Sequence, residues 1–583
     1  MRPAIIYNQP TLKHIIIIFF LTFMAYLNSF NGGFVFDDTY DVVENPFIRD
    51  FKYFGDTSLV KDVVINRNTD APLKYSFKAR QVVHFTFALN YKIHGLNVAG
   101  YHAVNFYIHV FNALLVYWIV LLLFETPLFV NSHDGNTRYG LSKDSIAFSV
   151  ALLYAVHPVQ TEAVSFISQR FTSLAAFFYF LSVVSYMKWR LSGNSSKRYA
   201  YCFVAIAAAM LAVKTKENTF TLPLSLTLIE IIFFSPFVQR KYNKTILHLL
   251  PFYFIVSVIP INTMGSKLFL FDFGGAINIG NPYEISALHY LYTQFYAVVV
   301  YLRLLIFPVN QNADYYQPVF TTILNYKVLG SLLLLILLLL FAIYLCFVKT
   351  RKTEDRFYYR VAAFGILWFF ITMLVESSFI VLNDMIVEHR IYLPSFGFFL
   401  TVVFIFAIMK SRYPYMLTDN KYAILLIVTA LLLTALTYNR NKVWRDSKAF
   451  YEDIIKKSPL NYRAQGGLAT YHMNNGMYDK AYEAFQNVIR YDFKNFGAHN
   501  NLSLLYLQTR QFDKALIECR LLLRYYGTNS DVFNRYGNYF FLQKRFDEAA
   551  KQYRKALSLD PNNARARENL YATLNILAKQ GSH

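Results

Sequence analysis

Residues 14–30 read HIIIIFFLTFMAYLNSF, an uncharged apolar run behind Lys13. At 1.5 Å per helical residue it crosses most of a hydrocarbon layer about 30 Å thick. Asn28-Ser29-Phe30-Asn31 lacks a good small-x-small cleavage site, so the run reads as an uncleaved anchor with its positive flank inside. Further apolar segments follow near residues 104–124, 145–157, 172–187, 199–213, 219–235, 245–262, 286–306, 324–348, 357–382, 391–409 and 421–437. The composition agrees: of 583 residues, 55% are hydrophobic and 18% aromatic, which excludes an ordinary soluble globular domain. A formal charge of +21 would fit nucleic acid if it covered one soluble face, but many of its Lys and Arg stand in short clusters between apolar runs. That is the pattern of membrane topology. Cys202, Cys346 and Cys519 supply neither a disulfide framework nor a zinc site.

The basic clusters then set the expected path. With Arg2 and Lys13 inside, Lys188, Arg190, Lys197 and Arg198 fall inside, and so do Arg240, Lys241 and Lys244. If 286–306 spans, Lys349, Arg351, Lys352, Arg356 and Arg360 fall outside; if it enters and leaves by one face, they fall inside with Lys410, Arg412 and Lys421. The charge rule therefore predicts eleven crossings plus one re-entrant or surface-lying helix, with the C-terminal region on the outer face. The expected fold is an α-helical polytopic membrane bundle over residues 1–438, with a long outer loop at 31–103 and a linker carrying a half repeat at 439–461. A repeat solenoid at 462–583 follows.

That solenoid is announced by a 34-residue period. Leu468, Leu502 and Tyr536 are equivalent, as are Tyr478, Phe512 and Phe546, then Ala481, Ala515 and Ala549, then Phe485, Cys519 and Tyr553. Small residues where two helices approach and aromatics where the next helix fills space define tetratricopeptide helix pairs, about three here, with a capping helix at 564–578. Such a solenoid offers a surface for a peptide or protein segment, so its expected role is recruitment.

Chemistry is expected on the outer face. Three stretches there break the usual charge bias: His157-Pro158 to Gln169-Arg170, Lys214 to Glu217, and Glu388 to Tyr392. Single charges of this kind are commonly solvated helix ends, but as a set Arg, Lys and His suit an anionic group such as a lipid phosphate. In the outer loop, Asp37-Asp38 follows Phe34-Val35-Phe36. Adjacent acids at the mouth of a bundle suit a general base or a divalent cation, while the bland alternative is a turn or helix N-cap. His102, Asn105, His109 and Asn112 share one helical face, where hydrogen bonding between helices is expected over metal binding.

Taken together, FVFDDTY at 34–40, NYKIHGLNVAGYHAVNFYIHVFNA at 90–113, LLYAVHPVQTEAVSFISQR at 152–170, KEN at 216–218, YLRLLIFP at 301–308, EHRIYLPSFGF at 388–398 and the repeats resemble the transmembrane and tetratricopeptide-repeat O-mannosyltransferases, of the GT-C class of membrane glycosyltransferases. The short repeat array favours a bacterial relative, hence a bacterial cytoplasmic membrane with loop and repeats on the periplasmic face, the alternative being the endoplasmic reticulum. The resemblance implies a polyprenyl-phosphate sugar donor, mannose first, and Ser or Thr hydroxyls of translocated proteins as acceptors. Within it Asp37, with Asp38, is the expected base, and Arg170, Lys216, His389 and Arg390 the expected phosphate-binding groups. His102, His157, Glu162, Glu217 and Glu388 are expected to support them, and Arg303 to shape the lipid entrance. Arg80 departs from the family pattern, being followed by Gln81 where a proline is expected, and carries less weight. No cofactor is implied; the acid pair keeps a divalent cation open. The competing readings are a membrane-anchored scaffold without activity, for which so many crossings are excessive, and a lipid-linked sugar transporter, for which repeated halves are lacking.

Overall fold

A computed structural model describes residues 12–61, 63, 67–130, 141–193, 196–234, 247–257, 285–347, 353–561 and 563–581. Arg2, the Arg240, Lys241 and Lys244 cluster, Lys349, Arg351, Lys352 and parts of the 245–262 segment lie outside the described residues. Among those described the chain is helical, without a strand. Among the described residues seven helices are long and apolar enough to cross a membrane: Leu12–Asn31, Val98–Val130, Ile167–Leu191, Glu217–Phe234, Tyr326–Phe347, Ser395–Arg412 and Asp419–Trp444. The chain is thus a multi-pass helical membrane protein. The 286–306 segment is an unbroken helix, Ala287–Ile306, followed by non-helical chain in which Gln311, Asn312 and Asp314 are buried.

The chain divides into two compact units. The first holds residues up to Phe34 together with Lys78–Arg445. Its core is one continuous apolar cluster that includes the fully buried Trp368, Phe396 and Tyr179. Lipid tails give apolar helices no reason to prefer each other, so close backbone approach matters. The Thr353–Met373 and Ser395–Arg412 helices achieve it at Gly365 and Gly397: a Cβ at either would come within 2.4 Å of the other's carbonyl oxygen. Thr401 Oγ1 adds a 3.1 Å bond to Ala362 O across the same contact. This pair brackets the irregular 374–394 segment.

The second unit comprises Val35–Phe77 and Asp446–His583. The repeats form three helix pairs, Tyr462–Asn474 with Tyr478–Tyr491, Phe496–Gln508 with Phe512–Tyr526, and Ser530–Leu542 with Phe546–Leu559, ahead of a final helix, Ala564–Gly581. Ala481, Ala515 and Ala549 are all fully buried, and so are Phe485 and Cys519. Two further 34-residue periods emerge. Asn461, Asn495, Asn529 and Asn563 each cap a helix N-terminus through the side-chain oxygen, at 2.8–3.0 Å. Gly476, Arg510 and Lys544 occupy the left-handed turn position of successive pairs, at φ 71°, 58° and 63°.

Candidate active site

The site in the first unit grows from a turn that cannot satisfy itself. Glu388–Ile391 forms one turn of 3-10 helix after the extended Val387, and its leading N–H groups have no partner within the turn. Glu162, on the short Thr161–Ser165 helix, supplies one: its Oε2 accepts from Glu388 N at 2.9 Å and His389 N at 3.2 Å, and its Oε1 lies 2.7 Å from His389 Nδ1. The Glu388 carboxylate accepts from Gln311 Nε2 (2.6 Å), Asn312 N (2.7 Å) and Tyr315 OH (2.7 Å). Gln311 Nε2 also donates to Pro158 O at 3.0 Å. Three segments distant in sequence are therefore tied around two buried acids.

Burial sets the protonation states here. It pushes the Glu162 carboxyl up to about 8 against the attraction of Arg440, and raises Glu388 for the same reason. His389 is driven well below its usual range, by burial first and by the Lys216 cation second. The 2.7 Å contact ties the Glu162 carboxyl to the His389 ring in a buried hydrogen bond.

The cations stand beside it. Lys216 is buried, its ammonium 2.9 Å from Glu376 Oε1 and 3.0 Å from Thr172 Oγ1. Arg390 donates to Asp384 O (2.7 Å), Met385 O (3.3 Å) and Tyr290 OH (3.3 Å), while Tyr290 OH donates to Glu376 O at 3.0 Å. Lys216, Arg390, His389 and the Glu376 carboxylate all act electrostatically on one another or on a shared neighbour. Lys216 is thus held by a carboxylate and Arg390 by backbone carbonyls and a tyrosine hydroxyl.

Other expected residues have separate places. Arg170 is fully buried, donating to Asn105 Oδ1 and Asn90 Oδ1 (each 2.6 Å), Thr86 Oγ1 and Tyr101 O, with its guanidinium over the Phe87 ring. It fastens the Gln81–His94 helix and the start of the Val98–Leu123 helix to the bundle. Glu217 orients Arg80, not Lys216: the two form a bidentate pair at 2.9–3.1 Å, and the same guanidinium covers Phe171. His157 Nδ1 accepts from Val159 N and caps the turn ahead of Glu162. Arg303 closes its own helix end on Val309 O. In the polar stripe, Asn105 bonds Val164 O and Ile167 O, His109 bonds Ala155 O and Tyr392 OH, and Asn112 bonds Ser173 O and Tyr392 OH, so the stripe joins helices as expected. His102 instead faces Gly32, where a Cβ would stand 3.0 Å from its Nε2.

Sequence reasoning missed Glu376, Asp384 and Tyr290. Glu376 had a legible signal, an acid near the end of an apolar run, where an ionisable group implies a partner.

The acid pair belongs to the second unit. Asp38 is fully buried and its Oδ2 accepts from Val35 N at 3.0 Å, closing a tight turn. Asp37 is half-buried, its carbonyl accepting from Tyr40 N and Asp41 N. Between Val35 and Asp37, Phe36 takes φ 51°, a strained value for a residue with a side chain. Its ring, 5.5 Å from that of Phe450 and covered by Arg463, holds the strained conformation in place. Among the described residues no three His, Cys, Asp or Glu side chains converge on one point.

Fold and site define a multi-pass helical membrane protein with a buried, cation-rich polar centre and a tetratricopeptide-repeat extension. The repeats match the families described as Tetratricopeptide repeat, over residues 467–530, and TPR repeat, over 537–570. Over about four-fifths of its length the chain is a relative of animal proteins named protein O-mannosyl-transferase. One from Caenorhabditis elegans is 25% identical over 80% of this chain and 61% of its own. Human TMTC4 is 22% identical over 78% of this chain and 63% of its own, and Drosophila melanogaster Tmtc3 24% over 79% and 53%. The chain therefore spans between 53% and 63% of the length of these three relatives. No solved structure matches it.

Proposed function

We propose that the chain is a GT-C-class membrane glycosyltransferase that moves a sugar, mannose first, from a polyprenyl-phosphate donor to Ser or Thr hydroxyls of translocated proteins. The observation that carries this reading is the buried set of Lys216, Arg390 and His389, held by Glu376 and Glu162, in a chain similar to named protein O-mannosyl-transferases. In the reaction, Asp37 accepts the hydroxyl proton as the acceptor oxygen attacks the anomeric carbon, and the bond from that carbon to the phosphate oxygen breaks. A single displacement inverts the anomeric centre. Negative charge grows on the departing phosphate, and Lys216 and Arg390 stabilise it in a site of low dielectric. Glu162 and Glu388 position the turn that carries His389 and Arg390. Arg170 and Arg80 position the loop that leads to the helix of His102. A divalent cation at the acid pair is a testable addition: chelation that leaves transfer unchanged removes it, and loss restored by added Mg²⁺ or Mn²⁺ establishes it.

A protein-binding role for the repeats fits recruitment of the acceptor, with both loop and repeats on the outer face of a bacterial cytoplasmic membrane or in the lumen of the endoplasmic reticulum. The test is transfer from labelled polyprenyl-phosphate mannose to protein, comparing membranes with the intact chain and with Lys216→Met. Label on protein with the intact chain alone supports the reading. No label with either overturns the mannose donor and favours a scaffold role.

A further inference from the structure

The repeats are expected to recruit, yet the acid pair folds with them. Val35–Phe77 and Asp446–His583 form one compact unit, and within it the residue before Asp37 is built into the start of the repeat array. Phe36 holds φ 51°, a region in which a side chain crowds its own backbone, so contacts from outside the turn must favour it. Two such contacts come from the array. The buried Phe450 ring, on the half-repeat helix Ser447–Lys457, lies 5.5 Å from the Phe36 ring. The Arg463 guanidinium, in the first turn of the Tyr462–Asn474 helix, stands over the same ring at 5.1 Å. These two helices are locked to each other: Tyr451, next to Phe450, packs so closely on Gly467 that a Cβ there would overlap its ring. Asp446 and Asn461 cap their N-termini, at 2.8 Å and 2.9 Å. The Phe36 ring therefore meets a rigid pair. The turn that it anchors carries Asp37, whose carbonyl accepts from Tyr40 N at 3.0 Å and Asp41 N at 2.9 Å.

We infer that Phe450 and Arg463 are positioning residues for the transfer reaction, acting on Asp37 through the backbone of Phe36, so that the first repeat belongs to the catalytic apparatus as well as to recruitment. The inference rests on the assignment of Asp37 as the base. A base must hold its oxygen within hydrogen-bond reach of the acceptor hydroxyl, and a displacement of about 1 Å costs on the order of 10²-fold in rate. Without its ring contacts Phe36 returns to negative φ, which turns the following peptide plane and redirects Asp37. Asparagine takes the left-handed region far more readily than phenylalanine, so at position 36 it can keep the turn without the clamp.

The test uses the full chain in detergent, labelled polyprenyl-phosphate mannose and a short Thr-containing peptide as acceptor. Phe450→Ala and Phe36→Ala are each expected to lower kcat by about tenfold or more, with the peptide KM changed by less than about twofold. The double variant is expected to lose no more than either alone, because both changes act through one backbone angle. Arg463→Gln is expected to lose about threefold. Phe36→Asn is expected to keep roughly a third or more of kcat, with Phe or with Ala at position 450. Hydrogen exchange at the Tyr40 and Asp41 amides reads the turn apart from activity, and is expected to quicken by about tenfold in Phe450→Ala. A normal kcat or unaltered exchange in Phe450→Ala, beside an inactive Asp37→Asn, overturns this inference and leaves the base standing. Full activity of Asp37→Asn, or no transfer by the intact chain, overturns the base assignment and the inference with it. If Phe450→Ala fails to fold, Phe36→Ala against Phe36→Asn on the unaltered array decides.

Discussion

Asp37 and Asp38 are neighbours in unlike surroundings, and separating them tests the proposed base. Asp38 is fully buried and accepts the Val35 N–H at 3.0 Å. Asp38→Ala strips a buried N–H of its acceptor, at a cost of about 1–3 kcal/mol in stability. Asp38→Asn retains an oxygen at that place and costs about 1 kcal/mol, as a charge-assisted bond becomes a neutral one. Asp37 closes its turn through the backbone carbonyl, which Asp37→Asn leaves in place. On the proposed assignment, Asp37→Asn keeps that turn and loses the base, a rate loss of roughly 10²–10⁴-fold, or about 3–5 kcal/mol in the barrier. The assay is the initial rate of transfer from labelled polyprenyl-phosphate mannose at matched amounts of folded protein, with thermal unfolding in detergent alongside. An Asp37→Asn rate within threefold of the unaltered chain refutes the assignment. Rate losses in both variants that track their losses of stability would make the pair a structural turn.

Glu162 titrates near 8 in the folded chain against 4.5 ordinarily, so the folded state holds the extra proton between those values. Stability is then greatest below about pH 4.5 and falls as pH rises to 8, and Glu162→Gln should flatten that fall in a thermal unfolding series. Lys216→Met leaves Glu376 buried without its 2.9 Å partner, with an expected cost of about 3–5 kcal/mol; Lys216→Met with Glu376→Leu should recover much of that stability in denaturant melts, but not transfer activity. In the repeats, Gly476→Ala at φ 71° should cost about 1–2 kcal/mol, whereas Arg510→Gly at φ 58° should be neutral or stabilising, both read by chemical denaturation. Asn495→Ala removes a helix cap and should cost about 1 kcal/mol in the same measurement.

Much of the fold was legible because its causes are local. A run such as 14–30 has few options besides a membrane helix, and Ala481, Ala515 and Ala549 recur because each repeat solves the same packing problem with its neighbour. The asparagine caps at 461, 495, 529 and 563 carry the same period and were open to the same reading. The candidate site was legible only as residue types. Lys216, His389 and Arg390 stood out as ionisable groups in apolar company, but their partners did not: Glu376 is 160 positions from Lys216, and Glu162 is 227 from His389. Any acid suits any cation, so no sequence pattern pairs Glu217 with Arg80, as the fold does. Nor does a sequence disclose that Phe36 adopts a left-handed conformation beside the acid pair, since that depends on the packing of Phe450 and Arg463 against its ring. What the sequence by itself determined was periodicity and hydropathy, which act between near neighbours. What only the tertiary structure decided was which buried charge meets which, because in a low-dielectric interior that choice depends on distances set by the whole bundle.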